Sequence, residues 1–151
     1  MKSPKLTAAL AGVVLVVCAA SPSGGGSPDS PGKRVPGTLV QYGEALQVIV
    51  PEAVDRGEAF EVDVTVYGGG CVGEGDLEVE VKGLQASIRP YDYDVSVPGF
   101  GCTLELIIYT RTASLRFDTP GRAQVHVLGL KKGLNNRRGK MITVTRTVEV
   151  R

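Results

Sequence analysis

From Thr38 to Arg151 apolar residues recur at every second position almost throughout, and no stretch keeps the three-to-four-residue spacing of an amphipathic helix. Successive side chains of a strand leave opposite faces of the sheet, so this alternation marks strands with one buried and one solvated face. Phe60, Val62, Val64 and Val66, alternating with Glu61, Asp63 and Thr65, give the clearest case. The first strand spans Ala45 to Val50, with Leu46, Val48 and Val50 on one face. Leu77, Val79 and Val81 make another inward row, and Leu84, Ala86 and Ile88 a further short strand after Gly83. Leu104, Leu106 and Ile108 are expected to face inward, as are Ala113, Leu115 and Phe117, then Ala123, Val125 and Val127. Ile142, Val144, Val148 and Val150 complete the series, interrupted by Arg146. Turn residues fall at Asp55-Arg56-Gly57, at Gly68-Gly69-Gly70 and at Asp118-Thr119-Pro120-Gly121. Strands this short, with turns every ~8 to 12 residues, predict an all-β, antiparallel two-sheet sandwich of about seven or eight strands.

The N-terminal part follows different rules. Lys2 and Lys5 precede an apolar run of 12 residues from Leu6 to Val17. A helix needs about 20 apolar residues to cross a bilayer, so the run fits the core of a signal peptide and not a stable membrane span. Residues 1–20 are therefore read as a signal peptide and the chain as exported. Cys18-Ala19-Ala20 suits cleavage before Ser21. Leu15-Val16-Val17-Cys18 resembles the lipobox of bacterial lipoproteins, whose Cys is lipidated and becomes the new N-terminus, although Val17 stands where Gly, Ala or Ser is usual. The lipidated Cys18 is slightly favoured over a soluble periplasmic or secreted protein. Residues 21–37, rich in Ser, Gly and Pro, read as a disordered tether, and 38–151 as the folded domain.

Cys71 and Cys102 then remain as an even pair in an oxidising compartment, where a disulfide is expected. It would close a loop of about 30 residues, for which chain entropy gives roughly 3 to 4 kcal/mol. There are 17 Lys and Arg against 16 Asp and Glu, and loss of Lys2 and Lys5 leaves 15 against 16. A chain so near neutrality offers no broad attraction to nucleic acid or to an anionic membrane, which leaves a lipid anchor as its route to the bilayer.

Pro51 to Val66, with Val54, Gly57 and Phe60, and Phe117 to Val127, with Pro120-Gly121 between strands, resemble segments of immunoglobulin-like domains in exported bacterial proteins. The resemblance implies an immunoglobulin-like sandwich. Here Cys71 follows its strand and there is no Trp, so the antibody arrangement of an intersheet disulfide on a Trp is not expected. Fold alone implies no activity.

Few residues suggest catalysis. His126 is the sole histidine and lies between Val125 and Val127, which turns it to the polar face; Ser114 and Asp118 supply no cleft around it. Glu74, Asp76, Asp92 and Asp94 alternate as calcium-binding acids can, without the EF-hand spacing. Gly68-Gly69-Gly70 lacks the helix and the Lys of a phosphate loop. Lys131, Lys132, Arg137, Arg138 and Lys140 surround a turn and read as a solvated tip. No enzyme, metal or cofactor is expected. The candidate recognition surface is Glu74, Asp76, Tyr91, Asp92, Tyr93, Asp94 and Phe100, with Pro90 to Cys102 read as a long loop joined to the Gly-rich loop by the disulfide. The domain would bind a protein or glycan at the bacterial cell envelope, or serve as a structural spacer there. A second reading is an immunoglobulin-like inhibitor of cysteine proteases, whose loops Gly68-Gly69-Gly70 and Arg89-Pro90-Tyr91 resemble.

Overall fold

The computed structural model describes residues 32–151, so the signal-peptide and Cys18 readings lie outside the described residues. Ten strands follow in chain order: β1 (Lys33–Pro36), β2 (Thr38–Gln41), β3 (Val48–Ile49), β4 (Ala53–Val54), β5 (Ala59–Gly68), β6 (Val72–Lys82), β7 (Gln85–Asp94), β8 (Ile107–Arg116), β9 (Gly121–Gly133) and β10 (Asn136–Val150). No helix occurs among the described residues. The described residues are all-β, as the periodicity from Thr38 onward requires.

In one group of strands β6 pairs with β7, β7 with β9, β9 with β10 and β10 with β4. In a second group, β8 and β3 both pair with β5. β2 joins the two groups, parallel to β9 and antiparallel to β5, so hydrogen bonding runs continuously through a curled mixed sheet. Three ladders are parallel, β2–β9, β7–β9 and β4–β10, where an antiparallel sandwich was expected. Parallel neighbours need a crossover. β8 supplies it for β7 and β9 by crossing to the other group between them.

β7 and β9 are paired over Gln85–Ile88 and Gln124–Val127, and beyond this β1 lies along β7 while β2 lies along β9. Gly37 sits at the fork: its N–H donates to Pro90 O at 2.8 Å and its carbonyl accepts from Leu130 N–H at 2.9 Å. Among the described residues strand structure therefore already includes Lys33–Pro36, ahead of Thr38. Lys-Arg-Val-Pro shows no apolar alternation because backbone pairing to β7, and not burial, holds it in place.

The core gathers Leu39, Val62, Val64, Val66, Ile88, Leu115, Phe117, Val125, Val127, Val148 and Val150 from both groups. Phe60 packs on Phe117 with ring centroids 5.7 Å apart. Each fully buried side chain of this kind is worth about 1.5 to 3 kcal/mol.

One inward row was read in the wrong phase. Residues 107–116 form a single strand whose inward positions are odd: Arg111, Ala113 and Leu115, with Phe117 just beyond. Side-chain period is two, so a strand that buries this row must turn Ile108 outward. Ile108 is 58% exposed, and Leu104, ahead of the strand, is wholly exposed. Leu106 is also exposed. The core took the row that ends in Phe117, and that choice placed Arg111 inside.

Candidate functional site

β7 runs on to Asp94, so Tyr91, Asp92, Tyr93 and Asp94 belong to a strand and not to the long loop expected there. Alternation then splits the candidate surface. Asp92 continues the inward row of Ala86, Ile88 and Pro90, while Tyr91 and Tyr93 share the outward face with Arg89.

Asp92 is 1% exposed and meets Arg111 from β8, whose guanidinium Nη2 donates to Asp92 Oδ1. Arg111 Nη1 donates to Tyr91 O at 2.7 Å, and Nε lies 3.7 Å from Glu74 Oε1. A bulge in β6 makes the acceptor available. The register slips between Glu74 and Leu77, so Gly75 and Asp76 stand against the single residue Tyr91. A bulge disrupts the local ladder, and here Arg111 takes the Tyr91 carbonyl. Only glycine fits at position 75, because a Cβ would sit 2.3 Å from Tyr91 O. Arg111 thus ties β8 to β6 and β7, strands with no backbone ladder to it. Burial pushes the Asp92 carboxyl above its ordinary range, against the lowering influence of Arg111. Asp92 Oδ2 and Arg111 Nε have no hydrogen-bond partner.

On the outer face the Arg34 guanidinium stacks 3.4 Å above the centre of the Tyr91 ring. It also grips Asp76 through Nε at 3.1 Å and Nη2 at 2.8 Å, and this bond holds the Asp76 carboxyl below its usual range. Asp94 accepts from Ser96 N–H at 2.9 Å, which lowers its pKa and fixes the start of the loop after β7. Most of the expected surface residues are therefore committed to partners inside the protein. Phe100, 78% exposed, is not. Arg89-Pro90-Tyr91 lies within β7 with Pro90 buried, so it forms no inhibitor-like loop.

The Cys71–Cys102 disulfide is formed, with Cα atoms 5.2 Å apart. Cys71 is the second residue of a two-residue turn, Gly70-Cys71, closed by paired backbone bonds of 3.1 Å between Gly69 and Val72. Gly70 has φ +64°, as the first position of a II′ hairpin turn requires. A Cβ on Gly69 would lie 2.2 Å from Glu105 O, so the glycine run lets residues 103–105 cross the hairpin tip. Residues 101–106 make no backbone hydrogen bond among the described residues. Beside them opens a cleft of about 410 Å³ lined by both cysteines, Tyr42, Tyr67, Lys132 and Arg137.

His126 lies on the outward face of β9, its Nδ1 3.0 Å from Thr145 Oγ1. Ser114 is on the outward face of β8, which does not pair with β9, and Asp118 accepts from Arg116. These three share no site. Among the described residues no group of three or more His, Cys, Asp or Glu converges as metal ligands would.

The sequence reading missed Arg111, Arg34 and Tyr42. Arg111 was findable: it shares the parity of Ala113, Leu115 and Phe117, as Asp92 shares that of Ala86 and Ile88. Two opposite charges ending two inward rows are an ion pair waiting for the strands to meet. Comparison of the chain with protein-family models, curated proteins and solved structures found no match.

Proposed function

We propose that this chain is a non-enzymatic exported domain of the bacterial cell envelope that recognises a protein or glycan partner with its disulfide-braced end. One observation carries the reading: residues 101–106, without backbone bonds of their own, are held beside a cleft by Cys102. Bracing an exposed loop lowers the entropy cost of binding through it. Val97, Phe100, Leu104 and Ile108 add exposed apolar surface there. The fold that accompanies this reading is an immunoglobulin-like sandwich, supported by two strand groups whose inward rows share one core. Attachment would be through a lipidated Cys18 and the Ser, Gly and Pro tether.

The test is capture from envelope extracts by the intact protein and by Phe100→Ala/Leu104→Ala. A partner held by the wild type should be lost with the double variant, whose melting midpoint should be unchanged because both side chains are exposed. Equal capture by both proteins overturns the assignment.

A further inference from the structure

Tyr42 is the sole non-glycine residue with positive φ among the described residues, at 51°. It is the first central residue of a turn closed by Glu44 N–H donating to Gln41 O at 2.9 Å, and Gly43 follows at φ 96°. Positive φ at both central positions defines the I′ turn, where Asn-Gly sits with little strain. A tyrosine there is strained, and such strain clusters at functional sites. Core packing does not explain it, because Tyr42 is 50% exposed and its residue lines the 410 Å³ cleft.

Lys132 and Arg137 enter the same cleft from β9 and β10, and neither has a carboxylate within 4 Å among the described residues. The lining acids are differently placed. Asp94 already accepts from Ser96 N–H, and Glu105 from the Thr103 hydroxyl at 3.1 Å. The cleft thus combines two cations outside any close ion pair, Lys132 being within electrostatic reach of Asp94, with an exposed aromatic ring and several oxygen acceptors. Its size suits a small ligand.

We infer that this cleft binds an anionic saccharide, a sugar unit carrying a carboxylate. The carboxylate would lie against Lys132 and Arg137 as a charge-assisted acceptor. The sugar's apolar face would rest on Tyr42, and its hydroxyls would donate to Asp94 and Glu105. A bare phosphate uses the cations but has no apolar face for Tyr42 and no row of hydroxyls for the two acids, and a neutral sugar leaves the cations unused. This inference rests on the reading that the braced end faces the ligand, and it names the chemistry of that ligand.

The test is an NMR titration of the intact, oxidised protein with glucuronate, glucose and inorganic phosphate. Glucuronate should give saturable shifts centred on Tyr42, Lys132 and Arg137, with glucose and phosphate each weaker by about tenfold or more. Arg137→Met should weaken glucuronate by about tenfold. Tyr42→Asn should also weaken it while leaving the melting midpoint unchanged or higher, because Asn suits the turn. Glucose or phosphate matching glucuronate, unsaturable shifts, or a lowered midpoint in Tyr42→Asn overturns the inference. If these fail while envelope capture still depends on Phe100 and Leu104, the ligand class is wrong and the role of this end stands.

Discussion

Replacing Arg111 with Met keeps most of the apolar stem and removes the guanidinium that joins β8 to β6 and β7. Asp92, 1% exposed, cannot recover its hydration from solvent. Breaking a buried pair from one side costs about 3 to 5 kcal/mol. Protonation bounds the charge part of this loss: neutralising a carboxyl of ordinary pKa ~3.9 at pH 7 costs about 4 kcal/mol. The Tyr91 carbonyl also loses its 2.7 Å donor, a further penalty of roughly 1 to 3 kcal/mol. Asp92 in the variant has a folded-state pKa above its unfolded value. Burial raises the wild-type pKa as well, so the variant's extra penalty is absent below the wild-type folded pKa and grows by about 1.4 kcal/mol per pH unit from there until the variant's higher folded pKa is passed. Urea melts of wild type and Arg111→Met at pH 4 and pH 7 should show a large deficit at pH 7 and a much smaller one at pH 4. Arg111→Met/Asp92→Leu should recover most of the loss, since replacing both partners by apolar groups is often neutral or better. A deficit below about 1 kcal/mol at pH 7, or one independent of pH, would refute the buried-pair argument.

Gly75→Ala forces a Cβ toward Tyr91 O and should destabilise by about 1 to 3 kcal/mol; an unchanged urea melt would remove the close approach from the account of the bulge. Cys71→Ser should cost about 2 to 5 kcal/mol, and thiol labelling of denatured, unreduced protein should find no free pair at Cys71 and Cys102. Phe100→Ala should change stability by under about 0.5 kcal/mol, whereas Tyr91→Ala, which removes the platform under Arg34, should cost about 1 to 2 kcal/mol. Intact mass of the exported protein should show an acylated N-terminal Cys18; a start at Ser21 without acyl mass makes the protein soluble instead.

Alternation alone determined that the described residues are all-β, and it named the buried rows of β5, β7, β9 and β10. Each of those rows is long, with a single parity, and a strand of that kind has one way to satisfy the hydrophobic effect. The Cys71–Cys102 disulfide was likewise legible, because the expectation of export left these two as an even pair of thiols with few alternatives. Tertiary structure decided what local pattern left balanced. Residues 104–117 carry two apolar rows of opposite parity, and only packing of Phe117 against Phe60 selects between them. That selection exposes Ile108, buries Arg111 and so creates the Arg111–Asp92 pair. β1 was invisible because its stability is backbone pairing in the fork between β7 and β9, which no side-chain pattern records. The cleft was hidden because Tyr42, Cys102 and the neighbours Lys132 and Arg137 are far apart in sequence. They converge only because β2 bridges the two strand groups and the disulfide draws the loop after β7 over the β5–β6 turn.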